Sequence, residues 1–92
     1  MKLTLPGRYM LSDHREHSCW TINISLAGIT VLEQQKGHIG ERVVLNIEQI
    51  GRLEGTIARN FDAWFAVSLQ LSPSKCEQLK EILTWLVNHR TH

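Results

Sequence analysis

The hydrophobic periodicity of the chain changes once, at Ser72-Pro73-Ser74, and this change constrains the fold more than any other feature. Before it, apolar and polar residues alternate in short runs, which is the period of a half-buried β-strand. After it, apolar residues recur at spacings of three and four, which is the period of an amphipathic helix. Because no helical pattern separates the earlier runs, the sequence favours antiparallel strands followed by one helix over a βαβ architecture.

The alternating runs and the turn residues between them predict about six short strands. They cover approximately residues 8–12, 18–26, 29–32, 41–47, 53–60 and 64–71. The run at 18–26 alternates most clearly, which predicts Ile22, Ile24 and Leu26 on one face and Thr21, Asn23 and Ser25 on the other. A polar cluster at 13–17 is predicted as a hairpin tip, and 33–40 as a polar loop. Short strands with glycine-containing turns favour a closed barrel or a sandwich.

A helix is predicted from about residue 74 to about residue 88. Pro73 stands where a first helical turn tolerates proline, and Ser74 with Glu77 three residues later matches a capping box. We expect this helix to pack on the barrel through one apolar stripe. The stripe consists of Cys76, Leu79, Ile82, Leu83, Leu86 and Val87.

Composition sets limits on the class of protein and on its partners. With 42% hydrophobic and 21% charged residues, the sequence is typical of a globular protein and not of a disordered one. We expect a single domain over residues 1–92, with the barrel at about 7–71 and the helix at about 74–88. The formal net charge is only +1, so no overall field attracts a nucleic-acid polymer or a membrane. Neither is expected as a partner, and any anionic ligand has to be held locally.

Two further features bear on the compartment. The first residues are broken by Pro6-Gly7 too early for a secretory signal, and no apolar run approaches the ~20 residues of a membrane span. We therefore expect a cytoplasmic protein with no membrane insertion. Cys19 and Cys76 form neither a CxxC pair nor a dense framework, which predicts reduced, buried thiols.

The most specific functional signal lies between Asn23 and Gly28. Residues two apart on a strand share a face, so the Asn23 amide and the Ser25 hydroxyl are predicted to project together. Gly28 beside them allows a ligand or another backbone to come close. An amide and a hydroxyl can together donate to phosphate oxygens and satisfy a base edge. The alternative is ordinary strand-to-turn chemistry, for which the same residues are common.

Asn23, Ser25 and Gly28 also fill a [D/N]xSxxG motif, and in this the chain resembles the PilZ family of cyclic-di-GMP receptors. The likeness extends over about 7–88: a strand pair precedes the motif, further strands follow it, Gly51–Gly55 enters a late strand, and a helix closes the chain. The resemblance implies a six-stranded antiparallel barrel closed by the C-terminal helix. It also implies a cyclic-di-GMP-binding receptor or adaptor in bacterial second-messenger signalling.

The second motif of that family, RxxxR, is missing, since no two arginines stand four positions apart. In the family, these arginines engage the guanines and phosphates of the dinucleotide. Arg8 and Arg15 are the arginines nearest to the motif and are predicted to act as substitutes. Lys2 is a poor replacement, because lysine lacks the planar, bidentate guanidinium.

Two functions therefore stay open. In the first, the chain binds cyclic-di-GMP weakly through Asn23, Ser25 and Gly28 together with Arg8 and Arg15. The loop that the ligand orders then presents a new surface to a protein effector. In the second, it is a degenerate PilZ module that binds no nucleotide and acts through protein–protein interaction. A single-stranded nucleic-acid-binding barrel is disfavoured by the near-neutral charge.

Catalytic and metal sites have little support in the sequence. The residues His14, His17 and Cys19 could supply three metal ligands, but on a hairpin tip they are more simply solvated, so no metal is predicted. No nucleophile elbow, carboxylate pair or phosphate-cradling glycine loop is present, so no enzymatic activity and no cofactor are predicted.

The tryptophans and the remaining strand arginines receive simpler interpretations. Trp20 and Trp85 are expected to fill the core or the helix seam. Trp64, beside a turn at the barrel rim, is the one that could stack on a guanine. Arg52 and Arg59 are interpreted as solvent-facing charges.

Overall fold

The structure, a computed structural model, describes residues 1–33 and 37–89. Its elements are β1 (Pro6–Met10), β2 (Glu16–Ile24), β3 (Gly28–Leu32), β4 (Arg42–Ile47), β5 (Gly51–Asn60), β6 (Trp64–Leu69) and α1 (Pro73–Asn88). This confirms the predicted class, an antiparallel barrel of six strands followed by one helix. Residues 34–36 of the predicted polar loop, and residues 90–92, lie outside the described part.

The strands close into a barrel in the order β1-β2-β3-β6-β5-β4. Each neighbouring pair is antiparallel, and β4 pairs with β1 to complete the ring. Closure pairs both edges of every strand, which removes the exposed edges that promote aggregation of open sheets.

The barrel interior and the helix share one hydrophobic core. Inward-facing side chains alternate along each strand, and the Tyr9 ring packs edge-on against Phe65 with centroids 5.2 Å apart. From the helix, the buried side chains are Leu79, Leu83 and Leu86. They join the same cluster, as do Leu3, Leu5 and Ile50, so the helix seals the barrel as predicted.

The start of α1 differs from the prediction. The N-cap is Ser72, whose hydroxyl accepts a hydrogen bond from the Lys75 amide at 3.1 Å, so the predicted capping box of Ser74 and Glu77 is wrong. Pro73 explains the difference: its fixed φ and missing N–H suit the first helical position, so the preceding serine becomes the cap.

The two outer members of the predicted helix stripe are also less buried than expected. Cys76 is only partly buried and Val87 is exposed. Cys19, in contrast, is buried as predicted, and neither cysteine forms a disulfide in the described part of the chain. Within that part, no helix is both long and apolar enough to cross a membrane.

A β-bulge in β2 corrects the predicted faces of that strand. Thr21 pairs with Val31 and Asn23 with Thr30, which leaves Ile22 as the extra residue. Thr21 therefore lies inside the barrel, 1% exposed, and Leu26 lies outside. The buried Thr21 hydroxyl is satisfied, because it accepts from the Leu5 amide at 2.8 Å and donates to the Leu3 carbonyl.

Glu41 ties the segment before β4 to the end of the β1–β2 hairpin. Its carboxylate accepts hydrogen bonds from the Ser12 hydroxyl, from the Ser12 amide at 3.0 Å and from the His38 amide at 2.9 Å. These bonds favour the charged form and lower the pKa of Glu41 to about 2, with the Ser12 hydroxyl as the largest cause.

Candidate functional site

The three residues of the sequence motif meet at an open groove on the outer face of the barrel. Asn23 lies near the end of β2, Ser25 in the following turn, and Gly28 at the start of β3. The groove has a volume of about 440 Å³. Its lining is completed by Met1, Ala27, Ile29, Thr30, Ala58, Ala66, Val67 and Ser68. We call it the motif groove; six of its eleven described lining residues are alanine, serine or glycine, and none of the eleven is acidic.

The Ser25 hydroxyl shapes the turn between β2 and β3. It accepts hydrogen bonds from the amides of Ala27 and Gly28 at 3.3 and 3.2 Å, and donates to the Gly28 carbonyl at 3.3 Å. The Ser25 amide also donates to that carbonyl at 2.9 Å. A hydroxyl has one donor and two acceptor positions, so the turn uses all of them. Ser25 therefore stabilises the β2–β3 turn, which forms one edge of the motif groove.

Gly28 is required by the approach of β6. A Cβ atom at this position would lie 2.6 Å from the carbonyl oxygen of Val67, inside any van der Waals contact. Gly28 pairs with Ser68 in the β3–β6 ladder, so the two backbones cannot separate without loss of that pairing. The sequence predicted close approach of a ligand or of a backbone, and the structure identifies the β6 backbone as the approaching group.

The side-chain oxygen of Asn23 is hydrogen-bonded within the protein, whereas its side-chain nitrogen has no partner among the described residues. Its Oδ1 accepts a hydrogen bond from the Met1 backbone nitrogen at 2.8 Å, while Lys2 pairs with Asn23 in an isolated antiparallel bridge. Among the described residues, no acceptor contacts the Asn23 Nδ2 group, and the residue is exposed. The N-terminal segment thus lies along the motif strand and leaves the amide donor of this exposed residue without an acceptor among the described residues.

The structure does not bring Arg8 or Arg15 to the motif. Arg8 pairs with Ser18 in the β1–β2 register, five residues from Asn23 along β2, which is roughly 16 Å at the usual strand rise. Arg15 lies farther still, at the hairpin tip. That these arginines bind a ligand stays a prediction, but one ligand would have to span this distance to contact them and the motif together.

The groove that contains Arg8 has mixed charge. It has a volume of about 600 Å³ on the outer faces of β1, β2 and β4, and its lining includes Glu16, Asn46 and Glu48. Arg8 Nη1 forms an ion pair with Glu16 Oε1 at 3.3 Å. Two carboxylates and a compensated arginine disfavour a ligand with several negative charges there.

A cross-strand row on the outer surface extends from the motif to an arginine that sequence reasoning left aside. The successive pairs are Lys2 with Asn23, Asn23 with Thr30, Thr30 with Ala66, and Ala66 with Arg59. Arg59 is solvent-exposed, as interpreted from the sequence, but the register aligns it with Asn23. No local sequence pattern could reveal this, because it depends on pairing among strands far apart in the chain.

The expectation that Trp20 and Trp85 are in the core or the helix seam is wrong. They are 51% and 56% exposed, respectively. Cys19 and Thr21 face inward, so strand alternation turns Trp20 outward. Trp85 lies on the outer face of α1 and stacks on His89 with centroids 4.3 Å apart.

Trp20 belongs to a second cross-strand row, which we call the apolar band. It consists of Pro6, Trp20, Leu32 and Trp64, paired in that order across β1, β2, β3 and β6. Trp20 and Leu32 are exposed, and Trp64 is partly buried because one face of its indole stacks on Phe61, with centroids 3.6 Å apart. This band is separate from the motif groove.

The three residues of the candidate metal motif point to different places. His14 lies at the hairpin tip, His17 stacks on Tyr9 with centroids 5.1 Å apart, and Cys19 is inside the barrel. Burial, followed by the charge of Glu33, raises the pKa of Cys19 to about 11, which disfavours a thiolate ligand. Over residues 1–33 and 37–89 there is no cluster of three potential metal-ligating side chains.

Comparisons with known proteins assign no family. No family model matches the sequence, and no curated protein is significantly similar to it. The function of the motif groove is therefore inferred from its geometry and from the motif itself.

Proposed function

We propose that the protein is a PilZ-like receptor for cyclic-di-GMP, with the motif groove as its ligand-binding surface. The observation that carries this proposal is that Asn23, Ser25 and Gly28 border one open groove, in which none of the described lining residues is acidic and more than half are alanine, serine or glycine. A dinucleotide with two phosphates is repelled by acidic surfaces, and a floor of small residues lets planar bases approach closely.

Each motif residue has a distinct part in the proposed site. The Asn23 Nδ2 group, which has no acceptor among the described residues, donates to a phosphate oxygen or a guanine edge. Ser25 holds the turn in shape, and Gly28 keeps the rim close to β6. Lys2, opposite Asn23, adds a positive charge but no bidentate contact. Without two adjacent arginines, we expect affinity in the micromolar range or weaker.

Titration with cyclic-di-GMP at low salt, followed by calorimetry and by amide chemical shifts, tests the proposal. We expect saturable shifts at residues 21–30 and 66–68, around the motif groove. Asn23→Ala should weaken binding about tenfold or more, because it removes a hydrogen bond to a charged or base group.

Asn46→Ala is the matched control, since Asn46 is an exposed strand asparagine that lines the other groove. It should leave the affinity unchanged. Absence of shifts at near-millimolar ligand, or equal losses in the two variants, would contradict the assignment of the motif groove.

A second candidate function, a PilZ-like module that acts only through protein–protein interaction, is favoured by the apolar band. Trp20 and Leu32 are exposed apolar side chains on adjacent strands, flanked by the partly buried Pro6 and Trp64, and an exposed apolar patch of this kind is a feature of interaction surfaces. A protein effector would pack on Trp20 and Leu32 and requires no nucleotide.

Photo-crosslinking in cells from position 20 or from position 85 tests this candidate. A single adduct that forms from position 20 and is lost with Leu32→Ser, but does not form from the equally exposed position 85, supports it. Identical adduct patterns from the two positions would exclude a specific partner at the band.

A further inference from the structure

We propose that Arg59, which lies beside the motif groove, binds a phosphate or a guanine of the ligand in place of the missing RxxxR arginines. The identity of the ligand rests on the proposed function. The choice of Arg59 rests on the strand register. The ligand class is a purine dinucleotide with two anionic phosphates, held across the outer row between Lys2 and Arg59.

Strand register is the first argument. Asn23 and Arg59 are joined through Thr30 and Ala66, so three inter-strand spacings separate them, roughly 14 Å between Cα atoms. The surface of the groove next to Arg59 is formed by small side chains, because Ala66 and Ala58 each present only a methyl group. The residue paired with Arg59 is therefore a small one, and it lines the motif groove.

Two β-bulges supply the second argument, since both are needed to turn these residues outward. In β2, Cys19 and Thr21 face inward, so strict alternation would also place Asn23 inside the barrel. The bulge between Thr21 and Asn23 reverses this and exposes Asn23. Bulges re-aim side chains and are common beside functional sites.

The bulge in β5 acts in the same way on Arg59. Gly55 and Ile57 face inward, so strict alternation would also bury Arg59. The register shift between Ile57 and Arg59 inserts Ala58 and turns Arg59 to the surface. The two bulges thus expose Asn23, which lines the motif groove, and Arg59, whose ladder partner Ala66 and chain neighbour Ala58 line it.

Charge supplies the third argument. The other strand arginines lie beside carboxylates: Arg8 with Glu16 at 3.3 Å, Arg42 with Glu54 at 2.7 Å, and Arg52 with Glu54 at 3.9 Å. Arg59 has no acidic partner among the described residues, and the groove beside it has no acidic lining. Its charge is therefore uncompensated, which favours an anion at this place.

The test compares Arg59→Ala and Arg59→Lys with Arg52→Ala in the full chain, by titration with cyclic-di-GMP. Arg52 is an exposed arginine on the same strand, but its ladder partner is Asn46 and neither its partner nor its chain neighbours line the motif groove, which makes it the matched control. We expect Arg59→Ala to weaken binding about tenfold to a hundredfold and to reduce its salt dependence. Arg59→Lys should recover only part of the loss, because it keeps the charge without the bidentate geometry.

The outcomes separate this inference from the proposed function. If cyclic-di-GMP binds the wild-type chain and Arg59→Ala equally, Arg59 is not part of the site and the proposed function stands. If cyclic-di-GMP does not bind, the proposed function fails. Titration with GMP and with inorganic pyrophosphate then shows whether Arg59 nevertheless binds an anion. If these ligands shift the amide signals of residues 23, 30 and 66 in the wild-type chain but not in Arg59→Ala, Arg59 is an anion-binding residue. If they cause no such shifts, the inference about Arg59 is overturned as well.

Discussion

Substitution of Gly28 by alanine separates the structural role of the motif glycine from a role in ligand contact. The new Cβ atom would lie 2.6 Å from the Val67 carbonyl oxygen, roughly 0.9 Å inside an ordinary van der Waals separation. The opposing atom belongs to the backbone of β6 and cannot rotate away as a flexible side chain could. Relief therefore requires β3 and β6 to separate at the Gly28–Ser68 pair.

We expect Gly28→Ala to lower the free energy of unfolding by about 1–3 kcal/mol, the usual range for overpacking. In a domain of this size that corresponds to a decrease in Tm of roughly 5–20 °C. Urea denaturation and a thermal melt measure the change. Ser68→Ala, at the outward-facing partner position, is the control and should stay within about 0.5 kcal/mol of wild type.

An unchanged denaturation midpoint for Gly28→Ala would refute the reasoning, because β6 would then have yielded without loss of pairing. If the midpoint falls while the remaining folded protein binds ligand normally, the glycine serves the barrel alone. Loss of binding without loss of stability would instead mean that the ligand itself occupies the space above Gly28.

The remaining predictions concern the helix, the hairpin and the thiols. Leu83→Ala should cost about 2–5 kcal/mol in a denaturation experiment, since Leu83 is buried in the shared core; a loss below about 0.5 kcal/mol would contradict docking of the helix. Hydrogen bonds from Ser12 lower the pKa of Glu41 from 4.5 to about 2, so the stability they contribute is present above pH 4.5 and is lost as the pH falls towards 2. A stability profile of Glu41→Gln should lack that step, and identical acid profiles would show that the contact does not form. A thiol reagent at pH 8 should label the partly buried Cys76 well before Cys19, whose pKa is raised to about 11 by burial; equal rates would indicate that the barrel opens.

The assignment of roles within the motif also changes what a loss of binding means. Ser25→Ala removes hydrogen bonds that close the β2–β3 turn, so a weaker affinity could arise from a loosened rim. The Asn23 side chain makes no hydrogen bond within the turn and has a donor group without a partner among the described residues, so Asn23→Ala leaves the turn intact and removes only the bond from the Met1 nitrogen besides the proposed ligand contact.

Local pattern in the sequence was sufficient to predict the elements. The alternation of apolar residues at 18–26 and the change of period at Ser72 reflect burial of one strand face and of one helix face, which each segment encodes in its own residues. The antiparallel strands, the C-terminal helix and the burial of Leu79, Leu83 and Leu86 followed from these patterns, whereas the patterns left a barrel and a sandwich both open and only the family resemblance implied the barrel. Association of Asn23, Ser25 and Gly28 was equally local, because they are near neighbours in the chain.

The inward face of Thr21 and the alignment of Asn23 with Arg59 were decided only by the tertiary structure. Each depends on where a strand slips by one residue against its partner, and such a slip exchanges the two faces of everything beyond it. The bulges at Ile22 and Ala58 arise where strands distant in sequence are fitted into one closed ring, so no window of neighbouring residues specifies them. For the same reason, the sequence predicted Arg8 and Arg15 as partners of the motif by proximity along the chain, while pairing across β3, β6 and β5 aligned Asn23 with Arg59.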